Sequence, residues 1–249
     1  GRDEIRRIEP HLASPPEMAL HVAAEGVVEP LAAAQALLAA ARGLGATVVG
    51  HTRVTSLTLS GGRVTGVETQ NGRIDADRVV VAAGVGAAHL LATAGVHLPL
   101  LHAPAVVVAS RPHPKRLNGM LVPPEMELRQ TEEGRFLAVG GYDEADPDGA
   151  ATAATLFATM QRMIATDETW RLDYHAVAYR PMPGDKFPAV GPAVGVDGLY
   201  AAVTHSGITL APALGRFVAE EMLTGHRDAL LDPYRLARFI PAEQGRAAE

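Results

Sequence analysis

The sequence predicts a mixed α/β protein in which a parallel-stranded part is interrupted by an antiparallel one. Three observations predict it. Arg78 to Ala83 is almost wholly apolar and ends in Gly84-Val85-Gly86, as expected of a parallel strand covered on both faces and turned tightly into a helix. From His102 the character shifts to short strand-like segments separated by Pro and Gly turns, which is the pattern of an antiparallel sheet. The composition agrees, being 47% hydrophobic and rich in Ala, Gly and Val with only 4% aromatic residues, which suits buried parallel strands better than a sandwich.

Taken in order, residues 3 to 8 read as a short polar helix before Pro10, and Pro15-Pro16 as a loop. In EGVVEPLAAAQALLAAARGLGA, Pro30 suits a helix start, the Ala and Leu run favours the helix, and Gly43 or Gly45 stops it. The segment from Ala46 to Gly84 reads as four or five short strands, with turns at Gly61-Gly62 and at Asn71-Gly72, a favoured hairpin pair. A helix over 86 to 94 follows. APAVVVASR, the Leu117 to Val122 segment, MELRQ and RFLAVGGY read as antiparallel strands, with turns near Pro123-Pro124 and Gly134. A helix across 150 to 166 and a strand from Leu172 to Tyr179 complete that sheet, after which Arg180 to Asp185 breaks regular structure. GLYAAV, from 198 to 203, is a strand running through THSG into a helix that starts near Ile208 and ends on Gly225.

The chain of 249 residues is large enough for a substantial core, and its formal net charge is -6. The 22 Lys and Arg form no basic block, so a nucleic-acid partner is not expected. The absence of cysteine excludes disulfides, thiolate nucleophiles, Cys-ligated metals and a cysteinyl-linked cofactor. No apolar run approaches the roughly 18 residues of a transmembrane helix and no signal-peptide core opens the chain, which makes a cytoplasmic protein the expectation. Gly1 in place of a methionine suggests a fragment or a processed product. His97, His102 and His113 lie in loop-like sequence without metal-ligand spacing, so no metal is expected.

Three blocks, in this order, resemble the family of D-amino-acid oxidase, glycine oxidase and sarcosine oxidase. The first is the helix, strands and VVVAAGVG; the second is YRPMPGDKFPAVGP; the third is GLYAAVTHSGITLAPALGRFVAEEML. The resemblance implies an FAD-dependent oxidation of an amine or amino acid, by hydride transfer from the amine-bearing carbon to the flavin. It implies a Rossmann-like FAD-binding part over 1–100, a substrate-binding antiparallel sheet over 101–180, and a return to the FAD-binding part over 181–249. It places FAD contacts at Val54, Ala83 and Gly84, and flavin contacts at Ser206, Gly207, Ile208 and Thr209. Members of the family open with a strand, a G-x-G-x-x-G turn and a helix that receive the pyrophosphate. None of these 249 residues forms that motif, since His89 stands where the third glycine after Gly84 and Gly86 belongs. The FAD site encoded here is therefore expected to be incomplete. A segment lost from the sequence or carried on a separate chain would complete it, and the uncovered flank of the 78 to 83 strand should make the isolated chain prone to aggregate.

Arg180 is the first candidate to anchor a substrate carboxylate, because a guanidinium grips a carboxylate through two parallel charge-assisted bonds and Pro181 holds it in extended backbone. A surface ion pair is the plainer alternative. A helix starting near Ile208 would aim free N–H groups at the flavin, Gly207 would permit close approach, and Thr209 is either a hydroxyl donor or an ordinary first-turn residue. His205 stands where glycine oxidase carries a second arginine, which leaves substrate identity open; it is either a hydrogen-bonding group at the flavin or simply packed. Ser206 beside it does not make a hydrolase, since Thr204 stands where G-x-S-x-G needs its first glycine. Arg129 in MELRQ is a second substrate-binding candidate, against the reading of a solvated edge-strand charge. Asp185 is assigned to stabilising its turn. Two further readings compete with the enzyme: a non-catalytic subunit or remnant serving assembly, and a small-molecule binding module without redox chemistry.

Overall fold

The computed structural model describes residues 1–166 and 168–240. In chain order the elements are α1 (Arg2–Ile8), α2 (Pro30–Gly43), β1 (Val54–Ser60), β2 (Arg63–Thr69), β3 (Gly72–Asp75), β4 (Val79–Val81), α3 (Ala87–Ala92), β5 (Leu100–Leu101) and β6 (Pro104–Pro112). There follow β7 (Met126–Gln130), β8 (Arg135–Gly140), α4 (Ala150–Met163), β9 (Leu172–Tyr179), β10 (Met182–Pro183), β11 (Ala189–Pro192), β12 (Leu199–Val203) and α5 (Ala211–Thr224). The mixed α/β class with several antiparallel sheets is as the sequence indicates. The chain divides into two compact units, one of residues 1–46 with 104–179 and one of 47–103 with 180–249.

The first unit is built on the antiparallel sheet β7-β8-β6-β9. Strand alternation sends Val106, Val108, Phe136, Ala138, Met126 and Leu128 to one face, where they bury Ala153, Leu156 and Met160 of α4. Each Val, Leu, Phe or Met among them contributes about 1.5–3 kcal/mol by leaving water. The segment Leu117 to Val122 does not form the expected strand; it meets the sheet only through an isolated Leu121–Leu128 bridge. Side chains have taken its donors: Gln130 accepts the N–H of Arg116 and Leu117, and the buried Glu9 carboxylate accepts those of Asn118 and Gly119. The helix foreseen to 166 ends at Met163, because Ile164 turns to extended backbone and bridges Leu12.

In the second unit β1-β2-β3 form an antiparallel meander. The Gly61-Gly62 turn has both residues at positive φ, 57° and 76°, as a tight right-twisted hairpin requires. The next turn differs from expectation. Its central pair is Gln70-Asn71, with Gly72 the first residue of β3, because the Thr69 hydroxyl accepts the Asn71 N–H at 3.0 Å and donates to the Gly72 carbonyl at 2.6 Å. A second sheet, β11-β12-β4, pairs β12 antiparallel with β11 and parallel with β4. Gly198 lets the two parallel strands start close together: its φ is +75°, and a Cβ there would stand 2.5 Å from the Asp77 carbonyl. One face of β12 buries Leu199, Ala201 and Val203 against α3 and the meander, while Tyr200 on the other face packs on Val218 of α5. The β4 strand is shorter and barer than expected, since only Val81 is buried and Val80 is 41% exposed at the sheet's edge.

Candidate active site

Parallel pairing fixes where the strand ends point. Ala201 lies opposite Val81, so the loops leaving β4 and β12 emerge from the same end of the sheet. That end is where open α/β sheets bind ligands. The β4 loop carries Ala83 and Gly84, and a cleft of about 310 Å³ lined by Val54, Leu57, Val67, Val79 to Ala83 and Leu90 opens beside it. Val54 and Ala83, 29 positions apart in sequence, thus meet in one cleft. Gly84 has φ +56° and nothing within 4 Å of where a Cβ would be, so its backbone is open to close approach by a ligand.

The β12 loop holds Thr204 to Leu210, and the helix after it starts later than the sequence suggests. Helix α5 begins at Ala211, not near Ile208, and Ile208 and Thr209 lie in the turn before it. Ser206 and Ile208 carbonyls accept the N–H groups of Leu210 and Ala211, and Pro212 in the first turn has none to offer, so the helix itself presents few free donors. The turn supplies them instead. The backbone N–H groups of Gly207, Ile208 and Thr209 bond to no described residue, and all three residues are exposed. His205 is exposed as well, its Nδ1 3.2 Å from Ser206 Oγ. Among the described residues no carboxylate pairs with His205, so Ser206 and His205 lack the acid a hydrolytic triad needs.

Arg180 follows β9 and is held by its backbone: its N–H bonds the Ala103 carbonyl at 3.1 Å, and the next residues pair β10 with β5. This two-residue ladder was not legible in the Pro-rich sequence. Among the described residues nothing pairs with the Arg180 guanidinium, and the residue is exposed. Asp185 is tied into its turn: Oδ1 accepts the Phe187 N–H at 3.1 Å and both carboxylate oxygens take Arg238, at 2.6 and 2.9 Å. These bonds, led by the Arg238 pairing, hold its pKa below the usual aspartate value. A carboxylate with a depressed folded-state pKa stabilises the fold above its unfolded pKa and loses that contribution as the pH falls through the folded one. Asp185→Asn should therefore lower the melting temperature at pH 7, with the difference shrinking below about pH 3.9, the ordinary aspartate value. Thermal melts of both proteins between pH 7 and pH 3 check this; a constant difference would refute it.

Arg129 belongs to the first unit. It is not a solvated charge: its Nη1 and Nη2 grip Glu29 at 2.9 and 3.5 Å, and its side chain is 14% exposed. The sequence offered no sign of this partner, 100 residues away. Among the described residues no helix is long and apolar enough to cross a membrane.

The residues present fit part of an FAD site. An apolar cleft along a parallel strand, an unobstructed glycine backbone and a turn with free N–H donors are the features that nucleotide and flavin ring ask of a protein.

Comparison with known proteins bears on this directly. The chain is 30% identical over 253 residues to hydrogen cyanide synthase subunit HcnC of Pseudomonas aeruginosa, covering 96% of this chain and 59% of that protein. It is 28% identical over 188 residues to glycine oxidase of Pseudomonas putida, covering 74% of this chain and 51% of that one. It thus spans between half and three fifths of these relatives. Among solved structures, L-proline dehydrogenase from P. horikoshii superposes with a TM-score of 0.76 at 22% identity over 98% of this chain and 68% of that one. Glycine oxidase from Geobacillus kaustophilus gives 0.69 at 24% identity, covering 84% and 58%. Both share the fold. The family of FAD-dependent oxidoreductases designated DAO matches residues 1–221, and the chain belongs to that family.

Proposed function

We propose that the chain is the larger part of a flavin-dependent amine or amino-acid oxidoreductase. The observation that carries this reading is the convergence of the β4 and β12 loops, which brings Ala83, Gly84 and the free N–H groups of Gly207 to Thr209 to one end of a parallel strand pair. The chemistry supplied by FAD when bound is acceptance of a hydride from the carbon bearing the amine. Val54, Ala83 and Gly84 hold the nucleotide end, and Ser206 to Thr209 hold the flavin end. The N–H groups of 207 to 209 would offer donors to the flavin, whose reduction builds negative charge. His205, steadied by Ser206, hydrogen-bonds beside them. Arg180 anchors the substrate carboxylate. A strand, G-x-G-x-x-G turn and helix absent from these 249 residues, in the same polypeptide or another, complete the FAD site and cover the edge of β4.

Two relatives are named as subunits of hydrogen cyanide synthase, which favours a second reading in which this chain works within a complex.

Arg180→Ala tests the substrate assignment in the FAD-loaded protein. Losing a charge-assisted carboxylate anchor of about 2 kcal/mol raises KM for an amino acid roughly 30-fold. The corresponding amine without a carboxylate should be unaffected. Equal losses for both substrates, or for neither, would remove Arg180 from the site.

A further inference from the structure

Within the second unit, antiparallel pairing brings a third segment to the end of the sheet where the β4 and β12 loops emerge. Ala189, the first residue of β11, lies opposite Val203, the last of β12, so the turn that enters β11 sits at that same end. Strand β12 is the middle one of the three, so the β4 loop and the turn into β11 leave the sheet on opposite sides of the β12 loop. The turn into β11 ends the segment that begins at Arg180, and it carries Phe187, 58% exposed. A lone exposed phenylalanine needs no explanation. What sets Phe187 apart is how firmly it is held. Arg238 places Nε and Nη2 on the Asp185 carboxylate at 2.6 and 2.9 Å, Nη2 also on the Phe187 carbonyl at 3.1 Å, and Nη1 on the carbonyls of Tyr234 and Arg235 at 2.7 and 3.1 Å. All five N–H groups of the guanidinium are thereby used. The Phe187 N–H donates to Asp185 Oδ1 at 3.1 Å, and its ring centroid lies 6.2 Å from that of Tyr234. The residue before it, Lys186, is kept at φ +69°, a conformation that favours glycine. An apolar side chain fixed in this way has already lost the freedom that a loose one would give up on binding a ligand.

We propose that Phe187 is a specificity-determining residue, whose ring receives the apolar side chain of the substrate and so favours amino acids with a large apolar side chain over the smallest ones. The inference rests on the reading of the β12 loop as the flavin end of the site and of Arg180 as the carboxylate anchor. Phe187 touches the substrate away from the reacting carbon and takes no part in the hydride step.

The test has two arms, both in the FAD-loaded protein. In the first, two carboxylates that carry no amine and cannot react, 3-phenylpropionate and acetate, are titrated while the flavin absorbance is followed. Phe187→Ala should weaken 3-phenylpropionate about tenfold and leave acetate unchanged, since the difference is the ring contact alone. Phe187→Leu, which keeps an apolar side chain, should restore most of the affinity. Phe187→Gln, polar and of similar reach, decides the matter if the alanine variant does not fold. The second arm compares kcat/KM for phenylalanine and alanine, each in both enantiomers. The parent should prefer phenylalanine, and the preference should fall about tenfold in Phe187→Ala, mainly through KM. Equal losses for both carboxylates or both amino acids, no loss for either, or a parent that prefers alanine overturns the proposal. Failure of the flavoenzyme reading would show separately, as a parent that turns over no amine at all, and failure of the anchor as an Arg180→Ala variant that binds acetate like the parent.

Discussion

Glu221→Ala is expected to destabilise the second unit by about 3–5 kcal/mol, the usual cost of removing one partner from a buried ion pair. Glu221, on α5, has a side chain 9% exposed, and its Oε2 accepts both the Tyr200 hydroxyl and Arg235 Nη1, each at 2.6 Å. Removing it leaves the Arg235 charge and the Tyr200 hydroxyl buried without that acceptor. Burial, followed by the Glu221 bond, pushes the Tyr200 pKa well above its ordinary value, so in the parent the phenol is neutral and donates. Three elements are tied at this point: β12, α5 and the turn that packs Arg235 against Gly191 of β11. Equilibrium urea unfolding measures the loss. The double variant Glu221→Leu with Arg235→Met, which removes both charges, should recover most of it; a single-variant cost under about 1 kcal/mol would mean the pair is not desolvated.

The second large effect is self-association of the 249-residue chain on its own. Helix α2 has no buried residue, although its sequence is almost entirely Ala and Leu, and Leu31 and Leu37 are 71% and 61% exposed. Val80 on the edge strand β4 adds exposed apolar surface to an unpaired ladder. Exposed apolar faces of this kind are covered in a stable protein. Light scattering should show concentration-dependent association that falls when the chain carries the G-x-G-x-x-G segment. A monodisperse, cooperatively melting monomer would contradict this account of the exposed faces.

Where local chemistry decides structure, the sequence was readable. Pro30 and the Ala-Leu run bound α2, the glycine pair at 61 and 62 makes its hairpin, β9 runs from Leu172 to Tyr179, and Gly225 ends α5 in the left-handed conformation, φ 77°. Elsewhere long-range partners decided. The Leu117 to Val122 segment has strand-like residues, but Gln130 and Glu9 consume its N–H groups. The Asn71-Gly72 signal lost to the Thr69 hydroxyl by one position. The start of α5 was misplaced by three residues because Ser206 and Ile208 close turns ahead of Pro212. As to the site, Val54, Ala83 and the 206 to 209 turn could be named only through family resemblance, since nothing local in a valine or an alanine marks a nucleotide contact. Glu29 carried no signal at all, because a partner 100 residues away is a property of the folded chain.

The most direct test of the central claim is an FAD titration, followed by flavin fluorescence and visible absorbance, of this chain alone and of the chain joined to a strand, G-x-G-x-x-G turn and helix from the family. Stoichiometric binding is expected only in the joined form, weakened by Gly84→Val, whose Cβ branches would block the backbone approach. Tight stoichiometric binding by the 249 residues alone would contradict the claim that they hold only part of the site, and no binding in either form would contradict the assignment of these loops to FAD.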